Sequence, residues 1–289
     1  MYEKFFGLRC HPFALTPDPE FLFRSRQHGM ALTLMEYGLE SRAMFALLTG
    51  AVGTGKTTLL RHLLRNLRKD ISVGLISNTH SGFDSIHPWA ISAFSVVPAD
   101  CSEISLYEAL VSFFVDQYRR GKRSLLIVDE AQNLPMQVLE QLRLLSNVNS
   151  DGDLVLQILL VGQPELRQTL QRPELLQLAQ RISADFHLTA MSQAETSAYV
   201  EHRLRASGSR DGLFTRDALE LVHVHSGGVP RLINQLCDMS MVYGYAVKQS
   251  IIDADLVREV LVDRQAAGAL QLFAGVENIA PVVELRAVG

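Results

Sequence analysis

Cysteine is scarce: Cys10, Cys101 and Cys237 are the three in 289 residues, far apart and with no C-x-x-C pair. That spacing supports neither a disulfide framework nor a zinc site, and it suits a reducing compartment. Tryptophan occurs once, at Trp89, and a lone large aromatic is expected to pack rather than to act. No stretch approaches the ~18 uninterrupted apolar residues of a membrane span, and Met1 to Gly7 has no signal-peptide core. The expectation is a soluble, cytoplasmic chain, able to dock peripherally at the inner membrane. Positive charge is not in excess, the net charge being −4. This argues against strong general attraction to nucleic acid while leaving room for a local basic patch. The remainder is ordinary globular composition, 47% apolar and 20% charged, long enough for one large domain and a smaller one.

Against that background one stretch stands out. Gly50-Ala51-Val52-Gly53-Thr54-Gly55-Lys56-Thr57 matches the phosphate-loop pattern G-x-x-x-x-G-K-[ST], whose glycines let backbone N–H groups converge on phosphate oxygens. The apolar run Met44 to Thr49 reads as a buried strand entering the loop, and Thr58 to Leu64 as a helix leaving it. That helix presents its positive end to the same anion. Lys56 is placed to reach the β and γ phosphates of a nucleoside triphosphate, and Thr57 to offer a hydroxyl to Mg²⁺.

A second stretch, Ser124-Leu125-Leu126-Ile127-Val128-Asp129-Glu130, reads as a strand buried on both faces that delivers two carboxylates to the carboxyl edge of a parallel sheet. Asp129 is the candidate Mg²⁺ ligand and Glu130 the candidate general base. The apolar run Leu154 to Val161 is closed by Gly162-Gln163-Pro164, so Gln163 is either a turn residue or a side chain that senses the γ phosphate.

The rest of the chain reads as scaffold. Residues 1–27 are rich in aromatics and prolines and form an arm, able either to line an adenine pocket or to pack on the core. Helical spacing follows from Gln27 to Arg42. Strands are expected at 71–76 and 186–188, and helices at 85–94, 106–119, 135–148 and, broken at Pro173, 166–180. From Ser192 strands disappear. Ser192 to Glu195 is a capping box, Thr215 and Pro230 open two further helices, and a fourth runs from Asp253 to Val262. The expected organisation is an arm and helix over 1–42, a phosphate-loop α/β core over 43–190, a helical lid over 191–263, and a tail over 264–289. His223 and His225, two apart, point to different helix faces and do not suggest a metal site.

A phosphate loop, a D-E second motif, a polar residue after the next strand and a helical lid together resemble the AAA+ ATPases. That resemblance implies a three-layer α/β/α core with a parallel sheet, followed by a small all-helical lid, with ATP and Mg²⁺ bound. It assigns Arg231, in Gly227-Gly228-Val229-Pro230-Arg231, to the lid arginine called sensor 2. It assigns Arg181 to the arginine finger that reaches a neighbouring subunit, with Arg167 and Arg172 as competitors, and so implies an ATP-dependent homo-oligomer. More specifically, Phe5-Phe6-Gly7-Leu8, Pro12-Phe13, Thr16-Pro17-Asp18-Pro19, Asp129-Glu130-Ala131-Gln132-Asn133-Leu134, Leu139 to Asn147 and Val161 to Leu166 are similar to the general secretion pathway protein A family. Its members include ATPases encoded with exosortase and exopolysaccharide systems, and within it Gln163 occupies the sensor 1 position.

Ala51 departs from the acidic residue that family members often carry after the first loop glycine, a change that spares phosphate binding. Secretion members also continue into a membrane span and a peptidoglycan-binding region. The resemblance therefore points to a cytoplasmic ATPase serving an envelope or polysaccharide assembly through a protein partner. The runner-up is a DNA-binding ATPase of the transposition target-selection type, using the basic clusters Arg61 to Lys69 and Arg119 to Arg123. Solvated helix ends are the simpler account of those clusters.

Overall fold

The structure, a computed structural model, describes residues 1–15, 21–77, 79–80, 82, 84–150, 153–209 and 212–266. Thr16 to Pro19 of the family motif, Asn78 and the tail beyond 266 lie outside them. The chain divides into two compact units, one comprising residues 26–52 and 59–188 and the other 1–25, 53–58 and the chain from 189 onward.

The first unit is built on the strands β1 (Phe45–Gly50), β2 (Ile71–Ile76), β3 (Arg123–Val128), β4 (Asn149–Ser150), β5 (Asp153–Leu154), β6 (Leu156–Gly162) and β7 (Ile182–Leu188). Five of these form one sheet in the order β2-β3-β6-β1-β7, every neighbouring pair parallel. β4 and β5 make a small antiparallel pair. The central strands β1, β3 and β6 bury almost every residue, as strands covered on both faces must. Because side chains alternate across a strand, Phe45, Leu47, Leu126, Val128, Ile158 and Leu160 enter one core. Their neighbours Ala46, Leu48, Leu125, Ile127, Leu159 and Val161 enter another on the opposite face.

The helices follow from those two cores. α1 (Arg26–Glu40) and α2 (Lys56–Asn66) supply Leu32, Met35, Leu59 and Leu63 to the second core. α3 (His87–Phe94), α4 (Glu103–Arg119), α5 (Met136–Leu145), α6 (Pro164–Leu170) and α7 (Leu176–Ala179) supply Ile91, Leu110, Leu139, Leu166 and Leu178 to the first. The result is a three-layer α/β/α unit.

Two expectations are corrected here. Trp89 is 40% exposed and lies edge-to-face on His80; α3 packs through Ala90 and Ile91, one and two positions further on, which leaves Trp89 on the outer side. The last strand begins at Ile182 rather than at Phe186. As an edge strand it leaves Ser183 and Asp185 exposed, so its sequence is too polar to read as a buried run.

The second unit is helical: α8 (Gln193–Ala206), α9 (Arg216–Ser226), α10 (Pro230–Ala246) and α11 (Ala254–Ala266). Ser192 and Glu195 form the reciprocal capping box, and the Thr215 hydroxyl accepts the Ala218 N–H. Gly227 closes α9 in the left-handed conformation. Tyr2, Phe6, Leu8 and Phe13 are buried in this unit's core with Val200, Leu219, Ile233 and Leu236, each contributing roughly 1.5–3 kcal/mol by burial. The arm thus packs on this core through these four side chains. Arg203 clamps the arm from within the unit: it donates to the carbonyls of Pro12 at 2.6 Å and Ala14 at 3.3 Å, and to the Tyr199 hydroxyl at 2.9 Å.

Candidate active site

Parallel strands end at a common edge, and three neighbours in this sheet, β3, β6 and β1, carry the candidate residues just beyond their last residues. β1 runs into the glycine loop, β3 into Asp129 and Glu130, and β6 into Gln163. In the loop, Gly53 has φ +81° and Gly55 φ +98°, values that a residue with a Cβ rarely adopts. Lys56 and Thr54 are buried, while Thr57, Thr58 and Gly55 are half-buried and Ala51 and Val52 exposed.

Gly53 also meets Arg231. The Arg231 N–H donates to the Gly53 carbonyl at 3.2 Å, and a Cβ at position 53 would lie 2.7 Å from the Arg231 Cβ. Gly228, three residues earlier, has φ +72° and carries the Met191 N–H on its carbonyl at 2.9 Å. A Cβ on Gly228 would fall 2.0 Å from the Met191 carbonyl oxygen. The two glycines ahead of Pro230 thus bring the start of α10 against the segment that precedes α8.

Asp129 is 8% exposed, and its carboxylate accepts the Glu130 N–H at 2.9 Å. Glu130 sits at φ 54°, ψ 35°, a left-handed conformation costing a non-glycine residue roughly 1–2 kcal/mol. Its carbonyl is held by the Thr79 hydroxyl at 2.6 Å and the Asn133 N–H at 3.0 Å. The Thr79 hydroxyl also lies 3.2 Å from the Asp129 carbonyl, and the Asn133 amide donates to the Thr79 carbonyl at 3.2 Å. The Glu130 carboxylate accepts from Gln132 Nε2 at 2.6 Å and from Gln163 Nε2 at 3.3 Å, both on Oε2. Sequence reasoning singled out Glu130 and Gln163 but missed Thr79, Gln132 and Asn133. The signals present were a hydroxyl three residues beyond β2 and an amide two residues beyond the acidic pair.

The arginines part company. Arg167 is tied to the Thr49 hydroxyl at 2.8 Å and ion-paired to Asp185. Arg172 reaches the Met136 sulfur at 3.5 Å. Arg181 precedes β7 and so lies at the amino edge of the sheet, away from Glu130 and Gln163. Its guanidinium contacts Asn147 Oδ1 at 2.6 Å, Ser146 Oγ at 3.0 Å and the Arg143 carbonyl at 3.2 Å. Within one copy of the chain Arg181 does not join the carboxylates.

No group of three or more His, Cys, Asp or Glu side chains gathers to hold a metal by itself among the described residues. A Mg²⁺ brought in by nucleotide needs only one or two protein oxygens besides phosphate and water. The Thr57 hydroxyl and the Asp129 carboxylate are donors of that hard, oxygen-only kind, and the glycine loop turns through positive φ at Gly53 and Gly55.

The AAA domain family matches residues 39–170. General secretion pathway protein A of Aeromonas hydrophila is 41% identical over 257 residues, covering 85% of this chain and 45% of that protein. The chain is an AAA domain protein homologous to general secretion pathway protein A. It spans less than half the length of that relative. Two solved structures carry the same P-loop AAA-type fold. The ORC2 protein of Aeropyrum pernix, in complexes with ADPNP and ADP, aligns with a TM-score of 0.65 at 19% identity over 88% of this chain and 71% of that one. The Walker-type ATPase of Pyrococcus abyssi aligns at 0.60 and 16% identity over 89% and 77%. No helix of the described residues is long and apolar enough to cross a membrane.

Proposed function

We propose that the chain binds ATP with Mg²⁺ on the Gly50–Thr58 loop, hydrolyses it with Glu130 as general base, and passes the resulting motion to a cell-envelope secretion or exopolysaccharide assembly. The observation that carries the catalytic part is the Glu130 carboxylate, fixed on a left-handed backbone and bonded to Gln163 from the neighbouring strand end. In this reading Lys56 neutralises phosphate charge, Thr57 and Asp129 hold the ion, and Gln163 places the attacking water. Arg231 reports the nucleotide to α10, on which it stands. Mg²⁺ supplies charge neutralisation at the phosphates; proton removal from water belongs to Glu130. Arg181 acts on a second copy of the chain, which agrees with its place at the sheet's amino edge, and hydrolysis then depends on a homo-oligomer. The envelope partner is supported by the relative's name.

The test is Glu130→Gln, which keeps the shape and removes the base. ATP affinity should stay within about twofold while turnover drops by about 10²-fold or more; wild-type turnover in this variant removes Glu130 as base. The second reading, a DNA-binding ATPase, is favoured by exposure of Arg119, Arg120 and Lys122. Salt-sensitive, ATP-dependent retention of duplex DNA supports it, and no retention at low salt sinks it.

A further inference from the structure

We propose that Gln132 is a positioning residue for Glu130, selecting which carboxylate oxygen faces water; this rests on Glu130 being the base. Gln132 lies in the 3₁₀ turn Ala131–Asn133, directly after the left-handed Glu130. Its Nε2 donates to Glu130 Oε2 at 2.6 Å, and its Oε1 accepts the Gln163 backbone N–H at 2.9 Å. Those two partners settle the orientation of the amide, since the flipped form would set oxygen against carboxylate and NH₂ against N–H. Gln163 Nε2 reaches the same Oε2 at 3.3 Å. Two amide donors therefore converge on Oε2, leaving Oε1 as the oxygen with a lone pair for a water proton. An amide does not titrate near neutral pH, so Gln132 orients the base and neither gives nor takes the proton.

Gly162 explains how the amide fits. A Cβ there would lie 2.9 Å from Gln132 Oε1 and 2.8 Å from Leu166 Cδ2, so the last residue of β6 leaves the space that the Gln132 side chain fills. The same fork joins the carboxyl end of β3 to that of β6. A shift of Gln163 thus moves the Gln132 amide and, through it, the Glu130 carboxylate.

The experiment uses the full chain with Mg²⁺ and ATP. Gln132→Met keeps the length and volume without either hydrogen bond. Gln132→Glu keeps the acceptor for the Gln163 N–H but loses the donor to Glu130. Both should lower kcat by about tenfold to a hundredfold, as loss of orientation does, with nucleotide affinity within about twofold and a melting temperature lower by no more than a few degrees. The double variant Gln132→Met/Gln163→Met should lose less than the product of the single losses, because both side chains act on one oxygen. A kcat loss below fivefold in both single variants, or a loss of nucleotide affinity in step with kcat, overturns the positioning role. Glu130→Gln, measured alongside, separates the two readings: if it keeps wild-type turnover, the base assignment fails on its own account.

Discussion

Replacing Thr79 by Val tests how the fold holds its strained glutamate. The two side chains have nearly the same shape, so the change removes the hydroxyl that lies 2.6 Å from the Glu130 carbonyl and 3.2 Å from that of Asp129. Thr79 is 7% exposed, and water cannot readily take the hydroxyl's place. The Asn133 N–H still serves the Glu130 carbonyl at 3.0 Å, so that oxygen is weakened rather than orphaned. The lost hydrogen bonding is worth about 1–2 kcal/mol. That is the size of the left-handed strain at Glu130, roughly 1–2 kcal/mol, so losing it lets the backbone at 130 relax and carries the carboxylate off Gln163. The expected result is a melting temperature lower by roughly 3–6 °C, together with turnover lower by about tenfold. Thr79→Ser, which keeps the hydroxyl, should stay near wild type on both counts. Calorimetry and a phosphate-release assay on the three proteins decide it. Equal stability and turnover in Thr79→Val would refute the idea that this hydroxyl holds Glu130.

Gly228→Ala should destabilise the helical unit by at least about 2 kcal/mol, since it combines a left-handed backbone with a Cβ 2.0 Å from the Met191 carbonyl oxygen; a wild-type denaturant midpoint contradicts this. Burial, with the charges of Arg203 and Arg205, lowers the His202 pKa. The unfolded chain therefore takes up a proton below about pH 6.5 that the folded chain refuses. Stability should fall as pH drops below about 6.5, and His202→Leu should flatten the slope of stability against pH there. Arg181→Ala should be nearly inactive alone and regain turnover when mixed with Glu130→Gln, which offers an intact arginine beside a dead site. No recovery in verified mixed oligomers removes the trans role of Arg181.

The features legible in the sequence were those with local signals. The glycine loop, the apolar runs of β1, β3 and β6, the Asp129-Glu130 pair and the Ser192 capping box are all specified within a few residues. The start of β7 is not legible because an edge strand exposes alternate residues, here Ser183 and Asp185. The exposed position of Trp89 is not legible because an eight-residue helix offers too few turns to fix which side faces the sheet. Gln132 and Thr79 were out of reach for a different reason. Their contacts with Glu130 arise only when a left-handed residue turns the chain after β3 and brings it beside the ends of β2 and β6. The arm's aromatics were visible as needing burial, but the helical core that receives them lies about 190 residues away along the chain.

The most direct test of the central claim is inorganic phosphate release from ATP by the purified full chain, with and without Mg²⁺, beside Glu130→Gln. The account predicts release that requires Mg²⁺ and disappears in the variant while ATP still binds. Bound ATP that is never hydrolysed, at concentrations where the chain is demonstrably oligomeric, would contradict it.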